Sequence, residues 1–205
     1  MKDIENNSTP VGWYGRGYLP HFDGGSITQF FTFRLFDSLP QSILDSWREQ
    51  LEHCGQHEME VVLQRRIEKY LDQNYGSCFL RDVRVAQIVQ DSLIHFDHKR
   101  YNLHAWVVMP NHIHFLITPF EGNSLESIAH SIKSFTAHEA NKLLNRRGQF
   151  WMHEPFDRYI RDADHFETVV AYIENNPVKA RLCKNANEWK FSSAYWRIQM
   201  IEEES

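Results

Sequence analysis

The chain has 205 residues, 42% of them hydrophobic and 14% aromatic, so it can bury a sizeable core, and we expect one domain with elaborations. No apolar run approaches membrane-spanning length, and the polar, acidic N-terminus MKDIENNSTP has the features of neither a signal peptide nor a transit peptide. The net charge of −5 argues against nonspecific coating of nucleic acid, and three scattered cysteines, which form no disulfide framework or zinc knuckle, fit a reducing cytoplasm.

The first half of the chain predicts an arm, a strand and a run of helices. Residues 1–25 mix Gly, Pro and aromatic residues without periodicity, which predicts an extended arm without regular structure. Residues 26–36 (SITQFFTFRLF) have the composition of a strand. Apolar residues then recur at helical spacing over three segments, 40–51, 57–71 and 81–97. The first two of these segments make up a helical elaboration over residues 39–75.

The second half of the chain predicts a strand pair followed by helices. The pattern gives strands over 101–109 and 112–118, a helix over 125–144, short extended pieces at 150–151 and 158–160, and a C-terminal tail over 186–205. A further helix from His165 to about Asn176 precedes the tail, and we expect Pro177 to stop it.

This order of elements predicts an α+β fold. A strand, helices, a strand pair, a helix, a short strand and a helix are typical of a ferredoxin-like antiparallel sheet with helices on one face. We expect this domain to span residues 26–185, with the extra N-terminal helices and the C-terminal tail added to it.

The most informative motif is His112-Ile113-His114, at the start of a predicted strand. Residues i and i+2 of a strand share one face, so the two imidazoles project together, about 7 Å apart at the backbone, while Ile113 enters the core. Two neutral imidazoles can bind one divalent metal and leave coordination positions open, as catalytic sites do. The alternative is two polar residues on the wet face of a half-buried strand.

A second motif lies in the last long helix, where Tyr172 and Asn176 are four residues apart and share one face. A phenol has a pKa near 10 and is a weak nucleophile unless a metal or a base activates it. Two histidines and an amide oxygen would hold Mg²⁺ or Mn²⁺ with room for a phosphate. The alternatives are that Tyr172 is a core residue and that Asn176 is a helix C-cap before proline.

Together the two motifs resemble the single-tyrosine HUH transposases, and most of all the REP-associated tyrosine transposases. The matching stretches are residues 109–114 (MPNHIH) and 172–179 (YIENNPVK), within a likeness that runs from about Tyr18 to the segment WKFSSAYW. The resemblance implies metal-dependent nicking of single-stranded DNA near a hairpin, with Mg²⁺ or Mn²⁺ as cofactor. In such a reaction a tyrosine becomes linked to a 5′ phosphate and a 3′ hydroxyl is freed, which permits transposition-like rejoining without ATP.

By position, the resemblance makes His112 and His114 metal ligands, Asn176 the third ligand and Tyr172 the nucleophile. Tyr159 in the segment FDRYIRD is the rival nucleophile, although it lacks an amide partner four residues on. One departure from the family pattern is Pro155, which stands where relatives often have an aromatic residue.

Basic residues crowd into the second half of the chain, whereas acids dominate residues 37–60 and the C-terminus. Phosphate neutralisation supplies much of the affinity for DNA, so we predict backbone contacts from four of them: Arg158, Arg161, Lys133 and Lys179. An unpaired base could stack on an aromatic residue of the arm, such as Trp13 or Tyr14. The expected partner is single-stranded or hairpin DNA and not a membrane, with the protein a monomer or a homodimer.

Two other functions stay open at this point. The first is a DNA-hairpin binding protein that has lost catalysis and acts in regulation. The second is a small-molecule metalloenzyme that uses His112 and His114 with another ligand, for which His104 on the preceding strand is the candidate.

Overall fold

The chain forms six strands and six α-helices within residues 12–15, 20–23, 26–153 and 156–203, which are the residues that this computed structural model describes. The strands are β1 (Gly12–Gly15), β2 (Pro20–Asp23), β3 (Gln29–Arg34), β4 (Tyr101–Val108), β5 (His112–Pro119) and β6 (Phe156–Tyr159). The helices are α1 (Gln41–Leu51), α2 (Gln56–Leu71), α3 (Val83–Phe96), α4 (Leu125–Leu143), α5 (Ala163–Lys179) and α6 (Ser193–Glu203). None of the helices in these ranges combines the length and apolarity needed to cross a membrane.

A four-stranded antiparallel sheet in the order β4-β5-β3-β6 forms the centre of the fold, and β1 and β2 pair as a separate antiparallel hairpin. In the central pair, Arg34 of β3 lies opposite His112 of β5, and Phe30 lies opposite Leu116. Because successive side chains of a strand point to opposite faces, Ile113 projects away from the histidine on either side of it.

Helices α3 and α4 cover one face of the sheet, which we call the apolar face. Its core includes Phe31, Phe33, Ile113, Phe115 and Ile117 from the strands and Val85, Val89, Ile128 and Ile132 from the helices. The rings of Phe31 and Phe115 stack with centroids 5.0 Å apart. Each such buried side chain stabilises the fold by about 1.5–3 kcal/mol, so this face supplies much of the cohesion of sheet and helices.

Helix α5 covers the opposite face of the sheet, which we call the site face. Its apolar residues are Phe30, Ala105, Val107, Met109, Leu116, Val169 and Ile173. His112 and His114 project onto this face from β5, because they share the parity of Leu116. The site face therefore combines a smaller apolar core with buried polar groups.

Helices α1 and α2 pack on each other around a core of their own, formed by Leu39, Leu44, Leu51 and Leu63. A hydrogen bond of 2.8 Å from the Ser77 backbone N–H to Asp37 Oδ2 fastens the turn after α2 to the end of β3. Gly76 in that turn has a φ of +88°, and a Cβ there would lie 2.8 Å from the Asp37 carbonyl oxygen. Only glycine fits this position, so the turn has a fixed place beside the sheet.

The structure confirms the predicted α+β class, the antiparallel sheet and the added N-terminal helices. It differs in the placement of helices, since α3 and α4 lie on one face and α5 on the other. The physical reason lies in α5, where Val169 and Ile173 form an apolar stripe that needs a second sheet surface to bury it.

Helix α5 also continues past Pro177, which the sequence predicted to stop it. Proline removes one backbone donor inside the helix, but hydrogen bonds continue beyond it and close the helix end. The Ala180 N–H donates to the Asn176 carbonyl at 2.9 Å, and the Leu182 N–H donates to the Pro177 carbonyl at 2.9 Å. Asn176 is therefore an interior residue of the helix, and its alternative assignment as a C-cap is wrong because Ala180 holds that place.

The described parts of the predicted arm and tail contain more regular structure than the sequence indicated. Residues 12–15 and 20–23 of the predicted irregular arm form the β1–β2 hairpin, and the tail contains α6. The Val108 N–H donates to the Phe191 carbonyl at 2.8 Å, so the segment before α6 covers the edge of β4. The rest of the arm, the side chains of Trp13 and Tyr14, and Pro155 lie outside the described residues.

Candidate active site

The two histidines of β5 lie together under α5 on the site face. Their ring centroids are 4.6 Å apart, and their side chains are almost fully enclosed, with exposures of 0% for His112 and 1% for His114. The alternative of two polar residues on a wet strand face is thereby wrong.

The orientation of His112 is set by Asn111. The Asn111 side-chain amide donates to the carbonyl oxygens of Leu71 at 3.3 Å and Tyr75 at 3.0 Å, so its Oδ1 is the atom that lies 2.7 Å from His112 Nδ1. An amide oxygen only accepts, hence Nδ1 carries the proton and Nε2 keeps its lone pair. This tautomer, with the second ring nitrogen held by a polar neighbour, is the one found in metal-binding histidines.

His114 is held from the neighbouring strand. Thr32 lies opposite it in the β3–β5 register, and the Thr32 hydroxyl is 2.8 Å from His114 Nδ1. The ring of Phe30 stacks on the imidazole with centroids 5.3 Å apart. The orientation of the His114 imidazole is thus fixed as well, by the Thr32 hydroxyl at Nδ1 and by the stacked ring of Phe30.

Helix α5 brings Tyr172 and Asn176 to the same place. The Tyr172 ring centroid is 5.4 Å from that of His114 and 6.0 Å from that of Phe30, and Asn176 is fully buried one turn further on. The helix is anchored by Ile173, which packs into the apolar core of the site face.

Burial sets the ionisation of these groups. It lowers the pKa of His112 to about 3, assisted by the positive charge of Lys179. Burial likewise holds the pKa of His114 well below its usual value, with His112 and Lys179 adding to the effect. Both imidazoles are thus neutral at pH 7, the form in which histidine binds metals. Burial raises the pKa of Tyr172, and the carboxylates of Glu68 and Asp72 raise it further.

By hydrogen-bond geometry, four buried polar atoms at this point have no partner in the described part of the chain: His112 Nε2, the Tyr172 hydroxyl, and Asn176 Oδ1 and Nδ2. Glu68 and Asn176 nevertheless lie close enough to the phenol to act on its pKa. Leaving such a group unsatisfied costs about 1–3 kcal/mol, so this concentration of them indicates a place built for a ligand. One imidazole nitrogen from each histidine and one amide oxygen are neutral donors, which fit Mn²⁺ well and Mg²⁺ less closely.

The Asn176 amide is the side chain that would supply the third metal ligand. Among the described residues, no group of three or more His, Cys, Asp or Glu side chains could hold a metal ion. His104, the candidate third ligand of a small-molecule metalloenzyme, instead has its Nε2 2.7 Å from the Thr118 hydroxyl and its ring edge on Phe166. The geometry therefore gives no support to that function.

The rival nucleophile lies on the wrong side of the sheet. Tyr159 pairs with Gln29, and Asp157 of the same strand pairs with Phe31, whose ring belongs to the apolar face. Paired residues of neighbouring strands share a face. Tyr159 is therefore separated from the two histidines by the thickness of the sheet.

The four predicted DNA-contacting residues divide between the two faces. Lys179 and Arg158 lie on the site face, with Lys179 Nζ 2.7 Å from Asp72 Oδ2 and Arg158 Nη2 2.7 Å from His165 Nε2. Arg161 is exposed just before α5. Lys133 lies on the apolar face, where its ammonium group donates to two loop carbonyls at 2.6 and 2.9 Å. These DNA contacts stay a prediction.

Sequence reasoning missed the residues that surround the site from other elements. Asn111 stood in the quoted motif without a role, and Thr32 becomes visible only through the strand register. Glu68 lies in α2 and Asp72 directly follows that helix, a hundred or more residues before Tyr172 in the chain. No local pattern connects them to it.

Three comparisons bear on this site. The family described as "Transposase IS200 like" matches residues 82–176, a range that contains both histidines, Tyr172 and Asn176. A REP-associated tyrosine transposase of Escherichia coli (strain K12) is 30% identical over 109 residues, which cover 52% of this chain and 63% of that protein. The chain thus spans somewhat less than two thirds of that relative's length.

A solved structure of the REP-associated tyrosine transposase bound to a REP hairpin is similar in fold. It has a TM-score of 0.56 and 21% identity, and the match covers 91% of this chain and 84% of that one. Together these findings confirm the resemblance to the REP-associated tyrosine transposases and the α+β fold.

Proposed function

We propose that this chain is a metal-dependent single-stranded DNA endonuclease and strand transferase that acts at DNA hairpins, with residues 26–185 as its catalytic domain. The observation that carries the proposal is the meeting of His112, His114, Tyr172 and Asn176 on one face of the sheet. The polar atoms left without partners there are the atoms such a reaction needs. The similarity to REP-associated tyrosine transposases, one of them described as bound to a REP hairpin, supports DNA hairpins as the substrate.

Tyr172 is the nucleophile in this proposal. Its phenol oxygen attacks the phosphorus of a DNA phosphodiester, the P–O3′ bond breaks, and a 5′-phosphotyrosine link and a free 3′ hydroxyl result. Because one phosphodiester replaces another, a 3′ hydroxyl can reverse the step without ATP. Helix α5 holds the tyrosine rigidly, and proximity of this kind contributes much of the rate of a covalent step.

His112, His114 and Asn176 would hold Mg²⁺ or Mn²⁺ beside the phenol. When bound, the cation supplies neutralisation of the charge that develops on the non-bridging phosphate oxygens. Asn111 and Thr32 fix the two imidazoles as positioning residues. Arg158, Arg161 and Lys179 are the proposed contacts to the DNA backbone, and Lys133 is a weaker candidate because of its loop contacts.

Covalent trapping tests the proposal. The protein is incubated with Mn²⁺ and a labelled DNA hairpin with single-stranded flanks, and an adduct that resists SDS is measured. We expect the wild type and Tyr159→Phe to form the adduct and Tyr172→Phe to form none. Tight hairpin binding by a wild type that gives no adduct would instead support a catalytically inactive hairpin-binding protein. An adduct lost only in Tyr159→Phe would overturn the choice of nucleophile.

A further inference from the structure

The C-terminal tail reaches the helix that carries Tyr172. Glu174 of α5 has a side chain that is only 12% exposed, and its Oε1 accepts a hydrogen bond of 2.6 Å from the Ser193 hydroxyl. The Arg197 guanidinium forms an ion pair with the same oxygen. Ser193 and Arg197 are one turn apart at the start of α6, so two side chains of the tail converge on one carboxylate of α5.

The same part of the tail is fixed to the edge of the sheet. The Trp189 indole N–H donates to the Val108 carbonyl at 2.9 Å, and the Trp106 backbone N–H donates to the Ser193 hydroxyl at 3.2 Å. Ser193 is 1% exposed, and its hydroxyl thus accepts from β4 and donates to α5. The tail therefore connects the edge strand to the helix through oriented hydrogen bonds.

Glu174 lies on the flank of α5 opposite the candidate site. An α-helix turns by about 100° per residue, so Glu174 is about 200° from Tyr172 around the helix axis and about 160° from Asn176. Ile173 lies between Tyr172 and Glu174 and packs into the apolar core of the site face. The helix thus rests on the sheet through its middle, with the tail on one flank and the two histidines on the other.

A carboxylate at this place fixes the helix more narrowly than an apolar side chain would. Apolar burial is non-directional, so Ile173 and Val169 alone would allow α5 to rotate on the sheet. Burying a charge costs free energy unless the charge is paired and hydrogen-bonded. Glu174 avoids this cost only in the rotation of α5 that meets Ser193 and Arg197.

We propose that Glu174 is a positioning residue, through which the tail sets the rotation of α5. This rotation holds Tyr172 and Asn176 against the two histidines. The inference rests on the proposed function, because it concerns the place from which Tyr172 attacks DNA. Glu174 itself takes no part in the reaction, but a displacement of about 1 Å at the reacting atoms can cost about 10²-fold in rate.

Single-turnover adduct formation with Mn²⁺ and a saturating labelled hairpin tests the proposal. Glu174→Ala removes the carboxylate that meets the tail. Glu167→Ala is the matched control, because Glu167 is exposed on the same helix and its replacement removes the same charge. We expect Glu174→Ala to react roughly 10- to 100-fold more slowly with the hairpin dissociation constant unchanged. Glu167→Ala should react at the wild-type rate.

Conservative variants separate the contact from the charge. Glu174→Gln keeps an oxygen that accepts from Ser193 and Arg197, so it should retain most of the rate. Arg197→Ala should lose part of the rate, and Arg197→Lys should regain it. Because the two side chains act through one contact, adding Arg197→Ala to Glu174→Ala should slow the reaction no further.

The proton resonances of the Tyr172 ring report on the rotation of α5 without any reaction. The ring centroids of His114 and Phe30 lie 5.4 and 6.0 Å from that of Tyr172, so a rotation of the helix changes the ring-current shifts of these protons. We expect the resonances to move in Glu174→Ala and in Arg197→Ala and to stay in place in Glu167→Ala. A loss of global stability alone would leave the shifts of the folded protein unchanged.

Each result has one meaning. A Glu174→Ala variant with the wild-type rate, or with the wild-type Tyr172 shifts, overturns the positioning role and leaves the proposed nuclease intact. A wild type that forms no adduct overturns the nuclease, and the Tyr172 shifts then still decide whether the tail sets the rotation of α5. If Glu174→Ala fails to fold, Arg197→Ala replaces it, because Arg197 is half exposed, and an unchanged rate or unchanged shifts there overturn the proposal.

Discussion

The two faces of the central sheet are built from the same strands but have different chemistry. On the apolar face, Ile113 and Phe115 of β5 meet apolar partners from α3 and α4. On the site face, His112 and His114 alternate with them, and α5 adds Asn176. The site face brings four buried polar atoms without hydrogen-bond partners to one place, whereas the described part of α3 on the apolar face leaves the single Ser92 hydroxyl without one. The difference indicates that the apolar face maintains the fold, whereas the site face gives up some stability in order to bind a ligand.

The largest effect is expected on the apolar face. Phe115 is fully buried between Phe31 and Phe33, so Phe115→Ala should lower the free energy of unfolding by about 3–5 kcal/mol in a urea titration. Phe135→Ala removes the same atoms from a side chain that is 53% exposed and should cost less than about 0.5 kcal/mol. A loss below about 1 kcal/mol in Phe115→Ala would contradict the role given to this face.

The next effect is expected from a metal on the site face. Mn²⁺ at a hundred times its dissociation constant should raise the free energy of unfolding by about 2.7 kcal/mol, because it binds the folded chain alone. His114→Gln should remove most of this gain, and His104→Gln should retain it, since His104 contacts Thr118 instead. An equal gain in both variants would show that the ion binds elsewhere.

Acid should weaken the site face through its histidines. The pKa of His112 is lowered to about 3 by burial and by Lys179, so the unfolded chain takes up the proton first. The contribution of neutral His112 to stability is fully present above the pKa of His112 in the unfolded chain, near 6.5. It is lost as the pH falls towards the folded-state pKa of about 3. Without metal, each histidine should reduce the free energy of unfolding by about 1.4 kcal/mol per pH unit in that window.

The slope of His112 can be isolated by difference. The unfolding free energies of the wild type and His112→Gln are measured from pH 6.5 to pH 4, which cancels the titration of groups common to both. We expect the wild-type slope to be steeper by about 1.4 kcal/mol per pH unit. Parallel curves would mean that His112 titrates normally and is not enclosed.

The smallest effect concerns the unpaired amide. Asn176→Leu replaces a buried group without partners by an apolar one, so it should raise the free energy of unfolding by about 1 kcal/mol while abolishing the gain from Mn²⁺. Asn175→Leu is the matched control, because Asn175 is exposed on the next position of α5 and bonds to Ala171. A large loss of stability in Asn176→Leu would mean that the amide holds the fold together.

The fold class and about half of the residues at the candidate site could be predicted from the sequence. Period-two alternation in residues 112–118 correctly separated the histidines from Ile113, and helical spacing correctly paired Tyr172 with Asn176. The end of α5 was mispredicted because the rule for proline ignores the hydrogen bonds that Ala180 and Leu182 make beyond it. Glu68 could not be found from the sequence, because its meeting with Tyr172 depends on how a separate helical pair docks on the sheet.

The bond from Asn111 to the turn after α2 has a consequence for how this protein can vary. Its acceptors are main-chain carbonyls of residues 71 and 75, which every amino acid possesses. Exchanging the exposed Tyr75 for another residue should leave the imidazole tautomer of His112 untouched. Removing or adding one residue in the turn would withdraw both acceptors at once. This turn therefore tolerates changes of side chain but not of length. Homologues with the same site should conserve the number of residues in the turn after α2 more strictly than the identities of those residues.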